Sequence, residues 1–398
     1  MLCVGAKMSN VVIIGGGFAG VQAARALQRV RGARVRVIDR EGLATMVPAL
    51  PDVLSGRVSR GSLIRPLAEV CGRGVDVIRD TITEVNLVER LAIGTAGRYA
   101  YDGLIIASGS TPIPPPVAFG DIRYHTLHSF ESAVTLRSEI ERRLAGGPLH
   151  VVIVGAGYTG LEAAAALRHG MGLESDTEIT VVDGASEILP MLNDRERGAV
   201  RSYLAQQAIA LRTGTTLAET AGSDITLSDG TRIRNALLVW STGMRASPLR
   251  FVGAVDRTPD GRIVTTEALG LPGYREVFAA GDAAALTRNG MLLRRAVNFA
   301  YYSGQRAGRN LAAYLRGRQS VAFTPVDLGW ILPLFGTSAG RIFGPLRVGG
   351  RLGLRLHYAM CGFRHFGGRL AVEFYRTALH LRRQPDPLDA TASWGSDS

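Results

Sequence analysis

The chain has 398 residues, of which 46% are hydrophobic, and a mean hydropathy of +0.12, so it can form two or three domains with sizeable apolar cores. Its formal net charge is +12, but no recognised nucleic-acid-binding motif accompanies that charge, so we exclude DNA and RNA as partners. No apolar run reaches about 18 residues, and the stretch before Met8 is too short for a signal peptide, which predicts a cytoplasmic chain.

The first predicted element is a strand that runs into a glycine-rich turn and a helix. Residues 11–14 are all apolar, the next six read Gly-Gly-Gly-Phe-Ala-Gly, and small apolar residues follow at helical spacing. In such a turn Gly15 permits the reversal, Gly17 lets a pyrophosphate approach the backbone, and Gly20 lets helix and strand pack closely. The next predicted strand ends on Asp39, whose carboxylate can accept hydrogen bonds from the hydroxyls of an adenosine ribose.

The same unit occurs a second time. Residues 151–167 are identical to residues 11–27 at ten of seventeen positions, and the strand that follows again ends on an acid, Asp183. One glycine turn is weak evidence for a dinucleotide site, whereas the repeat predicts two such sites. No arginine adjoins Asp183, so its carboxylate favours NADH over NADPH, whose 2′-phosphate it would repel.

Between the two units the sequence pattern changes several times. Residues 43–67 show no clear period, which is typical of space that a cofactor fills. Short alternating runs in residues 75–106 predict an antiparallel meander, which leads into a core strand at residues 104–107. Prolines concentrated in residues 111–116 predict a domain crossing. The helix predicted at residues 129–144 begins with a serine cap.

The region after the second unit carries the last predicted core elements. We expect a helix at residues 194–208, a hairpin at 225–233 and a core strand at 236–240. A further short strand ends at Asp282, which either binds the sugar hydroxyls of a cofactor or closes a turn. A helix at residues 297–315 follows, and its partially positive N-terminus points back toward that aspartate.

The C-terminal region carries much of the basic excess. Residues 341–383 contain nine arginines and one acid, Glu373, and from residue 352 the arginines alternate with large apolar residues. Helices of this composition lie in a membrane interface with their arginines on anionic head groups, or dock on a protein core with a solvated basic face. We favour the membrane. Residues 385–398 are polar and predict a disordered tail.

The three cysteines, Cys3, Cys71 and Cys361, are far apart and form no Cys-x-x-Cys pair. A dithiol active site, a structural zinc site and a disulfide framework therefore all lack ligands. We expect no metal site.

Taken together, the motifs resemble those of flavoproteins with two dinucleotide-binding domains. The two glycine turns, residues 107–110, residues 239–243 and the Gly-Asp at residues 281–282 match that family in order and spacing. Within it the chain looks most like type II NADH dehydrogenases, which pass electrons from NADH through FAD to quinone. The features shared with that branch are Glu162 directly after the second motif, residues 188–190, the loop at residues 240–248 and the tail after residue 329.

The resemblance implies an α/β fold with two Rossmann-like dinucleotide-binding domains, the second inserted in the first, and a C-terminal amphipathic region. It implies an FAD-binding domain at residues 8–116 and 251–325, with an NAD(P)H-binding domain at residues 117–250. Residues 326–384 would form the acceptor or membrane-associating region.

The resemblance also assigns the two cofactors, FAD and NADH, to residues. FAD falls on Gly15, Gly17, Gly20, Asp39, Gly109, Gly281 and Asp282. The nicotinamide cofactor falls on Gly155, Gly157, Gly160 and Asp183. Further cofactor-binding candidates in or beside these motifs are Phe18, Ala19, Pro48, Ala107, Tyr158, Thr159, Glu162, Thr242, Gly243 and Ala300.

Three residues are candidates for catalysis. Glu162 is placed to polarise or relay a proton at the flavin, although a glutamate in the first turn of a helix is also favoured by the helix dipole alone. On the acceptor side the branch carries two glutamines, which this chain lacks in residues 297–302. Asn298 and Tyr302 are the candidates that remain there, and the departure leaves the final acceptor open.

The activity implied is hydride transfer from NADH to FAD and electron transfer to a quinone, beside an anionic membrane surface. Two alternatives are the reduction of a small redox protein or of a soluble quinoid or aromatic metabolite, and a non-catalytic sensor that binds flavin and NADH. Sulfide:quinone reductases need paired cysteines near the flavin, and only Cys361 lies in a comparable region, which argues against sulfide. A homodimer is left open.

Overall fold

The computed structural model describes residues 8–116, 119, 123–170, 177–344, 346–366, 372 and 376. The predicted disordered tail at residues 385–398 lies outside these described residues. So do most of residues 367–384 of the predicted membrane-associating region, and most of residues 117–122 at the start of the predicted NAD(P)H-binding domain.

The chain begins with strands and short helices that form the first part of one domain. In chain order they are β1 (Ser9–Ile14), α1 (Phe18–Leu27), β2 (Ala33–Asp39), β3 (Leu43–Thr45), α2 (Pro51–Leu54), α3 (Arg60–Leu63), β4 (Ile64–Pro66), α4 (Leu67–Cys71), β5 (Val75–Arg79), β6 (Ile82–Asn86), β7 (Leu91–Gly94), β8 (Arg98–Ala100), β9 (Gly103–Ile106) and β10 (Ser110–Pro112).

The elements of the second glycine unit follow. They are β11 (Tyr124–His125), α5 (Phe130–Leu144), β12 (Leu149–Val154), α6 (Tyr158–Gly170), β13 (Thr177–Asp183), α7 (Asp194–Gln206), β14 (Ile209–Thr213), β15 (Leu217–Ala221), β16 (Asp224–Leu227), β17 (Arg232–Ile233), β18 (Ala236–Trp240) and β19 (Met244–Ala246).

The chain then returns to the first domain and ends in a small C-terminal unit. These elements are β20 (Arg250–Val252), β21 (Gly270–Leu271), β22 (Tyr274–Ala279), β23 (Thr287–Arg288), β24 (Met291–Leu292), α8 (Val297–Leu315), β25 (Gly329–Leu334), β26 (Thr337–Ile342), β27 (Leu346–Gly349) and α9 (Gly350–His365).

Two sheets form the centres of the two domains. The first has the strand order β21-β22-β9-β1-β2-β5, and its neighbours are parallel except for β21 and β22. The second has the order β11-β18-β12-β13-β14 and is parallel throughout. Because β22 joins the first sheet only after the chain has completed the second, the second domain is inserted in the first. The predicted α/β fold with two Rossmann-like domains is confirmed.

The prediction of an antiparallel meander across residues 75–106 was partly wrong. Val75–Arg79 forms β5, which pairs parallel to β2 at the edge of the first sheet. Only β6, β7 and β8 form the antiparallel meander, and β20 adds to it beside β6. A short run with partly exposed residues looks the same in both settings, because the partner of an edge strand is not encoded in its own residues.

Helix α8 packs on α1 through glycines that bring the two backbones together. A Cβ added at Gly304 would lie 2.1 Å from the carbonyl oxygen of Ala19, and one at Gly308 would lie 2.7 Å from that of Ala23. This contact is possible only without side chains, so it fixes α8 against the helix that follows the first glycine turn.

The C-terminal region contains a sheet that the sequence did not predict. Strands β25, β26 and β27 form a three-stranded antiparallel sheet. Helix α9 follows, with Leu354, Tyr358 and Cys361 buried and with Leu352 and Phe363 more than 60% exposed. Within the described residues no helix is both long enough and apolar enough to cross a bilayer.

Candidate functional site

The two glycine turns have nearly the same backbone conformation. Gly15 has φ +96° and Gly155 has φ +111°, values that residues with a side chain rarely adopt. A Cβ at Gly15 would lie 2.4 Å from the carbonyl oxygen of Ala107, and one at Gly155 would lie 2.2 Å from that of Ser241. Each turn therefore passes directly over the end of the neighbouring core strand.

The third glycine of each turn lets the helix approach its own turn. A Cβ at Gly20 would lie 1.9 Å from the carbonyl oxygen of Gly15, and one at Gly160 would lie 2.0 Å from that of Gly155. Both positions are buried. The predicted reason for these glycines, close packing of helix and strand, agrees with the geometry.

The middle glycine of each turn faces open space. An added Cβ at Gly17 or Gly157 would meet no other part of the described chain within 4 Å, and both residues are exposed. Gly17 is the residue before α1 and supplies no side-chain cap, so the amide groups of the first helical turn are left for another acceptor. A pyrophosphate fits this arrangement of free amides and open backbone.

Asp39 and Asp183 also occupy matching positions. Asp39 accepts hydrogen bonds from the amides of Gly16 (2.8 Å) and of Glu41 and Gly42 (both 2.9 Å). Asp183 accepts them from the amides of Ala156 (2.7 Å) and Ala185 (2.8 Å). These bonds hold each carboxylate beside its glycine turn and leave lone pairs for ribose hydroxyls.

A third group of predicted residues lies where the first sheet meets α8. The Ser110 hydroxyl donates to Asp282 at 2.7 Å, and the Gly281 amide donates to the Ser303 hydroxyl at 2.9 Å. Burial raises the pKa of Asp282, with the Ser110 hydrogen bond opposing that shift. Gly281 has φ +66°, and a Cβ there would lie 2.9 Å from the Cβ of Ala19. The turn at Asp282 is thus pressed against the helix of the first glycine motif.

The remaining cofactor candidates lie around these three groups. Tyr158 begins α6, and its ring meets the Trp330 ring edge-on with the centroids 6.1 Å apart. Burial raises its pKa. The others are Ala107 at the end of β9, Gly109 with φ +70°, Phe18, Ala19 and Ala300 in α1 and α8, Pro48 before α2, Thr159 in α6, and the exposed Thr242 and Gly243 after β18.

Glu162 points from α6 into a small cavity between the two domains and the C-terminal unit. The other residues that line it are Pro48, Pro51, Asp52, Arg57, Ala166, Pro333 and Phe335. Burial raises the pKa of Glu162 well above its ordinary value, and the charge of Asp52 adds to the shift. Asp52 and Arg57 were not predicted from the sequence, because residues 43–67 carry no motif or period that would single them out.

The two acceptor-side candidates are held differently. Asn298 is buried, and its side-chain amide donates to the carbonyl oxygen of Val326 at 2.8 Å. Tyr302 is half-buried and packs edge-on against Tyr301, with ring centroids 5.1 Å apart. Within the described part of the chain, no hydrogen bond, ion pair or ring contact joins either residue to Glu162.

Several known proteins are similar to this chain in sequence or in fold. An NADH dehydrogenase-like protein of Mycobacterium tuberculosis is 31% identical over 306 residues, covering 70% of this chain and 73% of that protein. The type II NADH:quinone oxidoreductase of the same organism is 28% identical over 403 residues, covering 90% and 86%. NDH2 from Plasmodium falciparum in complex with NADH has a TM-score of 0.79 at 14% identity, covering 94% of this chain and 99% of that one.

These relatives confirm the resemblance that the motifs indicated. Residues 9–301 match the pyridine nucleotide-disulphide oxidoreductase family, a match that spans both glycine turns, Glu162 and Asp282. The chain is therefore an oxidoreductase that belongs to the pyridine nucleotide-disulphide oxidoreductase family.

Proposed function

We propose that this oxidoreductase holds FAD in the first glycine turn and NADH in the second, and that it reduces a quinone. The observation that carries the proposal is the pair of matching cradles, each with an open middle glycine and an adjacent carboxylate. Two such cradles, set in two domains that meet at Glu162, suit the transfer of a hydride between two nucleotides. The type II NADH:quinone oxidoreductase among the relatives supports quinone as the acceptor.

The positions of the glycine turns and their carboxylates support an assignment of residues to each cofactor. Gly17 and the first turn of α1 would bind the FAD pyrophosphate, and Asp39 its ribose. Gly157 and Asp183 would do the same for NADH, with the domain limits expected from the sequence. When bound, FAD accepts a hydride from NADH and delivers electrons to an acceptor.

The chain's own groups near that chemistry are Asp282 and Glu162. The N-terminus of α8, which has no side-chain cap, lies beside the Gly281–Ala283 turn and presents partial positive charge there. Glu162 lines the small cavity beside Asp52, and burial raises the pKa of its carboxyl, so that carboxyl is suited to hold a proton and release it to a reacting group.

An acceptor panel tests this function. We expect purified holoprotein to be bleached by NADH faster than by NADPH and to be reoxidised faster by a menaquinone analogue than by oxygen or ferredoxin. Reoxidation by ferredoxin alone would favour a redox-protein partner instead. Bleaching without reoxidation by any acceptor would favour the sensor, and no bleaching would remove the proposal.

We further propose that α9 rests on an anionic membrane on the cytoplasmic side. Leu352 and Phe363 are 62% and 64% exposed and lie eleven residues apart, about three helical turns, so they share one face. The exposed Arg351 and Arg355 flank that face. The opposite face, with Tyr358, is buried in the protein, so docking on the core and contact with lipid are compatible.

Sedimentation with vesicles tests the membrane contact. We expect the protein to bind phosphatidylglycerol vesicles and to lose that binding in the double variant Leu352→Ser, Phe363→Ser. Val88→Ser is the matched control, because Val88 is 73% exposed but lies in the meander. Equal binding by all three proteins would contradict the proposal. Deleting the helix is not informative, since it would also remove the buried Tyr358.

A specific observation keeps a soluble acceptor as the second candidate. Asn298 is 5% exposed and donates one amide N–H to the Val326 carbonyl oxygen, so its side chain is held inside the protein rather than extended toward an acceptor. Activity with a soluble naphthoquinone that does not rise when vesicles are added would favour this alternative.

A further inference from the structure

Asp52, Arg57 and Glu162 line one cavity, and Tyr358 is hydrogen bonded to the first two, so four ionisable side chains from three parts of the chain form one group. Asp52 belongs to α2 and Arg57 follows that helix, both in the first domain. Glu162 comes from α6 of the second domain, and Tyr358 comes from α9 of the C-terminal unit. None of these pairings is close in sequence except Asp52 with Arg57.

Asp52, Arg57 and Tyr358 form a compact hydrogen-bonded set. The Tyr358 hydroxyl donates to Asp52 Oδ2 at 2.5 Å. Arg57 lies with its nitrogen 3.4 Å from Asp52 Oδ1 and donates to the Tyr358 oxygen at 3.3 Å. Its guanidinium also lies 4.2 Å from the centre of the Phe335 ring. Asp52 is 8% exposed and Tyr358 1%, so the carboxylate is compensated by partners rather than by water.

The surroundings of Glu162 differ from those of Asp52. Its carboxyl forms no hydrogen bond or ion pair with the residues that the structure describes, and it faces the Asp52 carboxylate across the cavity. Two carboxylates in a site of low dielectric do not both ionise readily. Burial raises the pKa of both, but Arg57 and Tyr358 oppose the shift at Asp52, and no partner opposes it at Glu162. Glu162 is therefore the member that keeps the proton.

Other titratable groups face this site. Burial raises the pKa values of Tyr203 and Cys361 to about 12 and lowers that of His357 to about 4, so these three do not change charge near neutral pH. Arg364 lies beside Cys361 and opposes that rise in its pKa. His169 stacks on Phe335 with the ring centres 4.9 Å apart and is a further group that must be separated by experiment.

We propose that the Asp52–Tyr358 hydrogen bond, together with Arg57, keeps Glu162 protonated and so sets the pH range in which this site delivers a proton to the acceptor. The inference rests on the proposed function. A quinone that receives a hydride equivalent, which is two electrons and one proton, needs one further proton to become a quinol. Glu162 gives up that proton, and water returns it. Asp52 and Tyr358 are positioning residues, since they act through Glu162.

Two different variants should shift the pH at which Glu162 ionises in the same direction. Asp52→Asn removes the negative charge that opposes ionisation of Glu162. Tyr358→Phe removes the bond that stabilises that charge, so more of the shared proton rests on Asp52. Both changes should let Glu162 ionise at lower pH, by about one pH unit or a tenfold change in proton affinity. The double variant should shift no further than Asp52→Asn alone, because Tyr358 then has no charge to stabilise.

Two measurements on holoprotein test this between pH 5 and pH 9. The first is the infrared carbonyl band of the protonated Glu162 carboxyl, assigned by subtracting the spectrum of Glu162→Gln. The second is the rate of flavin reoxidation by a soluble naphthoquinone in stopped flow. Tyr101→Phe is the matched control, because Tyr101 is a buried phenol in the first domain that lies beside Glu276 rather than Asp52.

We expect the intensity of the band and the reoxidation rate to fall together as pH rises. In Asp52→Asn and Tyr358→Phe this fall should occur at lower pH than in the wild type. In Tyr101→Phe it should occur at the same pH as in the wild type. Flavin reduction by NADH should change less than twofold. Unshifted titration in both variants would overturn the proposal. So would a pH limb that persists in Glu162→Gln, because that limb would belong to a different group. If no quinone reoxidises the flavin, the proposed function fails, while the infrared titration still decides whether Asp52 and Tyr358 control Glu162.

Discussion

The two glycine turns have nearly the same backbone conformation, but the helices that follow them pack against different neighbours. Helix α1 lies against α8, where Gly304 and Gly308 bring the two backbones into contact and leave no room for a reactive side chain. Helix α6 lies against α2 and turns Glu162 toward the cavity at Asp52. The helix of the first turn is thus packed tightly against the protein, and the helix of the second presents Glu162 at the contact between the domains. The phosphate cradle is the same, and what packs on its helix decides its use.

The largest expected effects separate the two cradles by cofactor. Gly17→Ala and Gly157→Ala each add a methyl group where phosphate would lie but touch nothing else in the described chain. We expect Gly17→Ala to weaken FAD binding about a hundredfold, or about 2.8 kcal/mol, and to yield a nearly colourless protein. Gly157→Ala should retain FAD and bind NADH about a hundredfold more weakly. Flavin content after gel filtration and titration with NADH check these expectations. If both variants lost the same cofactor, the assignment of one cofactor to each turn would be wrong.

Adding a single methyl group where α1 packs on α8 should destabilise the protein. In Gly304→Ala the new Cβ meets the backbone of Ala19, which cannot move away, so we expect a loss of about 1–3 kcal/mol in the free energy of unfolding. Gly198 in α7 has no neighbour within 4 Å, so Gly198→Ala should instead gain about 0.5–1 kcal/mol. Thermal unfolding of both variants checks the opposite signs, and a stabilised Gly304→Ala would contradict the close contact.

The two carboxylates should differ in what they select. Asp183→Asn removes the charge that would repel a 2′-phosphate, so we expect the ratio of kcat/KM for NADPH over NADH to rise about tenfold, or about 1.4 kcal/mol. Asp39→Asn should leave that ratio unchanged, because its ribose belongs to FAD in the proposed arrangement. Steady-state kinetics with both nucleotides check this expectation. If Asp39→Asn changed the ratio instead, NADH would be assigned to Asp39 and FAD to Asp183.

The smallest expected effect concerns how the thermal stability of the protein depends on the ionisation of Glu162 in α6. Burial raises the pKa of Glu162 in the folded protein, so the stability linked to its protonation is present at low pH and is lost as pH rises through the folded pKa. Glu162→Gln does not titrate and escapes that loss. We expect its Tm to exceed that of the wild type by about 2–4 °C at pH 8 and by less at pH 5. A difference independent of pH would mean that the carboxyl is not buried.

Local patterns predicted much of the fold. The six residues of each glycine turn fix a conformation that depends on φ at Gly15 and Gly155, so strand, turn and helix follow from neighbours in the chain. Helix α8 occupies residues 297–315 as expected, and Ser129 caps α5 as predicted, while its reciprocal bond with Ser132 was not predicted. Because the unit occurs twice, the two-domain organisation was also readable.

The sequence by itself determined the two nucleotide cradles, because their geometry is set by residues within about one strand and one helix of each other. Only the tertiary structure decided which strand borders β2, that residues 329–349 form a sheet, and that Tyr358 reaches Asp52 across 306 positions of sequence. Those contacts depend on which surfaces meet after the chain has folded. No local period or motif records a partner so far away, and for that reason the group around Glu162 was visible only in the folded molecule.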